Sequence, residues 1–134
     1  MDWKGLLADV KGKPLLEAEG PPDAAEAAAR ELGCFCVRID GGDIPDGAAL
    51  LARLARELQF PDYFGSNWDA LQDCLTDLPD WLPASGYLLV FTEAGELCRR
   101  RPGDLASFKD VLADAARFWR EQDPPRPFKA VFIP

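Results

Sequence analysis

A chain of 134 residues has the length of one domain and can bury about two-thirds of its unfolded surface, so its core needs no disulfide or metal staple. Its 48% apolar and 28% charged residues are ordinary for a folded soluble protein, and 15 Lys and Arg against 23 Asp and Glu give a formal charge of −8. That balance argues against RNA or DNA as a direct ligand and suits a basic protein partner, while the absence of histidine removes every Ser–His or Cys–His nucleophile.

The start, Met1-Asp2-Trp3-Lys4, lacks the basic-then-apolar pattern of a secretion leader, and no run of 18 apolar residues follows. A cytoplasmic location without membrane contact is therefore expected. Trp3, Leu6, Leu7 and Val10 predict one short helix within residues 1–19, and Gly20-Pro21-Pro22 breaks the chain. Asp23 as N-cap, with Glu26 three residues on, predicts a capped alanine-rich helix ending at Gly33. Cys34–Asp40 is a short apolar run closed by Gly41-Gly42 and reads as a strand. Leu50, Leu51, Leu54 and Leu58 then recur at helical spacing up to Phe60, before Pro61.

A second helix is predicted from Ser66 or Asn67 to Leu78, followed by a strand over Gly86–Thr92. Residues 93–103 are irregular and hold Arg99-Arg100-Arg101, which reads as an exposed basic loop. Asp104 is expected to cap a long helix carrying Leu105, Phe108, Leu112, Ala115 and Trp119, with Trp119 in the core. Phe128–Ile133 is the last strand. The order is α/β with a small parallel sheet, because each strand pair is separated by enough chain for a crossover. Cys34, Cys36, Cys74 and Cys98 have no zinc-like spacing and are expected to be reduced, partly buried thiols; no cofactor or metal is expected.

The segment Tyr63–Asp80 carries the chemistry. On a helical wheel Trp68, Leu71, Leu75 and Leu78 fall on one side, and Asp69, Asp73, Thr76, Asp77 and Asp80 on the other, with Gln72 at the edge. Asp69 fits a capping box with Ser66, where a carboxylate is favourable. That reading does not reach Asp73 and Asp77, since like charges at i,i+4 cost a few tenths of a kcal/mol. A solvated acidic face remains a sufficient account of the row. Tyr63 and Phe64 precede the helix beside Gly65; Phe64 suits a core cap under the loop, and Tyr63, with its polar tip, suits an interface.

The stretch Pro61-Asp62-Tyr63-Phe64-Gly65-x-Asn67-x-Asp69-Ala70-Leu71-x-Asp73-Cys74-Leu75-Thr76 resembles the signature of the barstar family, intracellular inhibitors of barnase-type ribonucleases. The resemblance implies a three-stranded parallel sheet packed with helices over residues 34–134, with residues 1–33 as a partly helical N-terminal extension. It further implies a non-enzymatic, one-to-one plug in the active site of a basic ribonuclease of extracellular or toxin type. Asp73 would mimic RNA phosphate, Asp69 would pair with an arginine, and Tyr63 would stack near a catalytic histidine. Asn67 and Gly65 would hold the loop, with Phe64, Gln72, Thr76 and Asp77 completing the partner-binding face. The family's aromatic three residues after the first aspartate is Gln72 here, its helix-end aromatic is Leu78 with Trp81 close by, and its acidic residue on the last helix falls at Arg117. The target therefore need not be barnase itself. A non-inhibitory domain that binds a basic protein uses the same face. A divalent-metal hydrolase using Asp69, Asp73 and Asp77 ranks below both, because three aspartates along one helix cannot easily surround an ion.

Overall fold

Alternation along three apolar strands sets the frame of the computed structural model, which describes all of residues 1–134. In β3 (Tyr87–Thr92), Tyr87, Leu89 and Phe91 join one core while Leu88 and Val90 join another across the sheet. β4 (Phe128–Phe132) repeats the pattern, with Phe128, Ala130 and Phe132 on the first side and Val131 on the second. β2 (Phe35–Asp40) lies at the sheet edge, parallel to β3 with Phe35 opposite Tyr87.

The sheet has four strands rather than three, in the order β1-β4-β3-β2, every neighbouring pair being parallel. The added strand, β1 (Leu15–Glu17), comes from the N-terminal segment and sets Leu15 opposite Ala130 and Leu16 opposite Val131. Two adjacent leucines after a proline show no alternation long enough to read as a strand. Pairing with β4 makes them one, through contacts more than a hundred residues away in sequence.

The first core lies between the sheet and three helices, α3 (Gly47–Glu57), α4 (Trp68–Asp77) and α5 (Pro102–Arg120). Phe108, Leu112, Ala115 and Trp119 bury the inner side of α5, and the Trp119 indole donates to the Leu75 carbonyl at 3.0 Å, tying α5 to α4. The second core lies under α1 (Trp3–Ala8) and α2 (Asp23–Glu31), where Leu7, Ala25, Ala28 and Ala29 cover Leu88, Val90, Val131 and Ile133. The small alanine side chains let α2 lie close to the strands. A parallel sheet needs cover on both faces, and the N-terminal layer supplies the second.

Lys129 projects from β4 towards this layer and is only 2% exposed. Its ammonium donates to the backbone carbonyls of Asp9, Gly12 and Lys13 at 2.7, 3.2 and 3.0 Å, so all three of its protons are used. Asp9 is the C-cap of α1, where a cation is favoured by the helix dipole.

Two capping expectations change in the structure. Asp23 lies inside α2 after Pro22, and with Glu26 it takes the guanidinium of Arg38 on β2. Asp104 lies inside α5, and its carboxylate accepts from the Gly47 N–H at the start of α3, 2.8 Å away. In both cases a carboxylate near a helix start finds a tertiary donor that is better placed than its own backbone.

Candidate protein-binding face

The apolar side of α4 holds it in place: Leu71, Leu75 and, just beyond, Leu78 are fully buried. Burying each of them contributes about 2 kcal/mol. Repulsion between aspartates one turn apart costs only a few tenths of a kcal/mol, so the anchor outweighs the strain of a charged front by a wide margin. Asp69, Asp73 and Asp77 of α4 and Asp80 of the following 3₁₀ turn all stand in solvent. None takes part in any of the chain's eight ion pairs, and none of their carboxylates accepts an internal hydrogen bond.

The start of α4 is set by Asn67, whose Oδ1 accepts from the Ala70 N–H at 2.7 Å. Ser66 is therefore not the cap. It sits in the left-handed region at φ 54° and turns the chain into the helix, so the capping box expected with Asp69 does not form. Asn67 Nδ2 also donates to the Gly65 carbonyl at 3.4 Å. A Cβ at Gly65 would meet Ala70 and Asn67 at ordinary contact distances of 3.5 and 3.6 Å, so the free chain places no steric demand for glycine there.

The loop before the helix divides its two aromatics. Phe64 is half-buried, edge-on to Phe60 at 4.9 Å, and Phe60 in turn meets the Trp81 ring. Tyr63 is 64% exposed, which leaves most of its ring free for a partner. Partial desolvation raises the Tyr63 pKa, with further contributions from Cys74 and the carboxylates of Asp77, Asp80 and Asp73. The phenol thus stays protonated beside the acidic row, available as a donor. Asp80, on the acidic side of the helical wheel and exposed, belongs to this group as well.

Gln72 is half-buried, and its side-chain carbonyl oxygen is buried without a hydrogen-bond partner. The Thr76 hydroxyl lies 3.1 Å from the carbonyl oxygens of Gln72 and Asp73 and donates within its own helix. Leu78 is core, and Trp81 is committed elsewhere, its indole donating to the Leu58 carbonyl at 3.0 Å. On α5, Arg117 pairs with Asp114 at 2.6 Å. The N-terminal layer lies across the sheet from α4 and leaves the acidic row uncovered.

The family model of barstar, described as barnase inhibitor, matches residues 34–133. The chain belongs to the barstar family. The match takes in β2, β3, β4 and the three helices of the first core, and leaves out α1, β1 and α2. A protein of Bacillus subtilis (strain 168) named "Putative ribonuclease inhibitor YrdF" is 52% identical over 44 residues, which cover 31% of this chain and 48% of that protein. The chain thus matches about half the length of this curated relative. Members of the barstar family are inhibitors rather than enzymes. No cluster of three or more acidic, cysteine or histidine side chains is arranged to hold a metal ion, and no helix is long and apolar enough to cross a membrane.

Proposed function

We propose that this barstar-family protein neutralises a basic ribonuclease of extracellular or toxin type by inserting the acidic side of α4 and the preceding loop into its active site. The observation that carries the reading is the set of four solvent-facing carboxylates with no cation of their own chain, beside a largely exposed tyrosine. Asp73 takes the place of an RNA phosphate and Asp69 pairs with an arginine. Tyr63 stacks on the catalytic side, while Asn67 and Gly65 shape the loop and Phe64 supports it from beneath. Gln72, Thr76 and Asp77 border the contact. Ion pairs desolvated in this way are favourable when the geometry is complementary, and removing one side then leaves the other charge buried and unpaired.

The complex is one-to-one and the protein acts in the cytoplasm, a reading in keeping with four cysteines that form no disulfide. Residues 34–134 form the inhibitory unit, and residues 1–33 add a structural layer behind it. A barnase-type ribonuclease assayed on RNA provides the test. Asp73→Ala and Asp69→Ala each weaken inhibition by about thirty- to a thousandfold, the range of buried charged anchors. Melting temperatures stay within a few degrees, because both carboxylates are exposed and unpaired. Raising the ionic strength slows association more than it speeds dissociation. If both variants inhibit like the wild type, the acidic face is only solvated surface. If the protein binds the nuclease and RNA turnover continues, it is a non-inhibitory binding domain.

A further inference from the structure

The start of the acidic helix is held at a three-way junction whose residues lie far apart in sequence. Gly47 opens α3, Asp104 lies in the first turn of α5, and Trp68 is the first residue of α4. Asp104 Oδ2 accepts from the Gly47 N–H at 2.8 Å and so satisfies one of the unpaired donors at the α3 N-terminus. The Trp68 indole lies between position 47 and the Phe108 ring of α5, whose centroid is 6.3 Å away. A Cβ at Gly47 would stand 2.9 Å from Trp68 Cζ2, and 2.9 Å from both Cγ and Oδ2 of Asp104. With a side chain at position 47, the Trp68 indole or the Asp104 carboxylate would have to shift.

We propose that Gly47 and Asp104 are positioning residues for the binding face: through Trp68 they set where Asp69 and, one turn on, Asp73 stand. The inference rests on the inhibitory reading of α4 and extends it to two residues outside the face. A helix moves as a rigid element, so displacing Trp68 displaces the adjacent carboxylates with it. Desolvated charge pairs lose their advantage when geometry departs from complementarity, which makes small shifts of Asp69 and Asp73 consequential.

Gly47→Ala, Trp68→Phe and the double variant test this, with a barnase-type ribonuclease as the binding probe and backbone amide spectra of residues 67–77 as an independent readout. The alanine pushes on the indole, and phenylalanine, which lacks Cζ2, makes room for it. Gly47→Ala weakens binding about tenfold and shifts the amides of Asp69 to Asp73, whereas the double variant returns both to within about threefold of Trp68→Phe alone. A second pair addresses Asp104: Asp104→Ala weakens binding, and Asp104→Asn, which keeps an acceptor for the Gly47 N–H, recovers most of it. The proposal is overturned if Gly47→Ala binds like the wild type with unmoved amides, or if the double variant stays as weak as Gly47→Ala. Should Gly47→Ala fail to fold, the Asp104 pair decides. Should the wild-type protein not bind the nuclease at all, the inhibitory reading fails, while displacement and recovery of the α4 amides still decide the positioning role.

Discussion

The Cys98 thiol is fully buried, and that burial, followed by the fields of Asp104 and Asp46, pushes its pKa up to about 11. In the unfolded chain the same thiol ionises near its ordinary value of 9.0. Between these values the unfolded state has lost a proton that the folded state keeps, so folding stability falls as pH rises. A two-unit difference corresponds to roughly 3 kcal/mol at full ionisation. Cys36 is pushed in the same direction, to about 11, by burial and then by Glu26, and it adds to the trend from a half-buried site. Thermal melts from pH 8 to 11 are expected to show a falling melting temperature, less steeply in Cys98→Ala; parallel curves would exclude this thiol as a source. None of this was legible in the cysteine spacing, which excludes zinc-like pairing but cannot reveal which thiols are dry. The acidic side of α4 was more legible. Asp69, Asp73 and Asp77 fall on one side of any helix drawn through them, and the structure leaves all three in solvent.

At the level of elements, α4 was readable because ten residues of amphipathic pattern accumulate more signal than any single position. Its first residue was not. Ser66 and Asn67 are equally good caps by composition, and the choice rests on the left-handed backbone at Ser66, a property of the tertiary turn. Removing the true cap tests that assignment. Asn67→Ala deletes the acceptor of the Ala70 N–H and is expected to lower stability by about 1 kcal/mol. Urea unfolding measures the loss, and hydrogen exchange is expected to quicken at Ala70. An unchanged midpoint would mean that Asn67 does not cap the helix in solution. The strand Leu15–Glu17 shows the opposite case, an element too short to have a pattern and present only because β4 offers it an edge. Asp104 belongs with it, since its reach to Gly47 spans 57 residues and no local rule anticipates it.

Across the whole molecule the sheet separates two layers, with α4 in one and α1 and α2 in the other. Lys129 joins the second layer to β4 by three hydrogen bonds to the loop after α1. Lys129→Met keeps the volume but leaves those carbonyls without their donor, at a cost of about 1–3 kcal/mol. Hydrogen exchange is expected to quicken over residues 1–17 while inhibition of the nuclease stays within about twofold, because the face lies across the sheet. Loss of inhibition together with the loosened loop would show that the layers are coupled.

The row of carboxylates that no arginine or lysine of this chain neutralises also shapes the unbound molecule. Sodium or potassium ions from the medium must gather loosely along it, since that concentration of negative charge is otherwise balanced only by water. A docking protein that brings fixed positive groups sends those ions back into bulk, and their dispersal gives the union an entropic component that no inventory of its contacts would reveal.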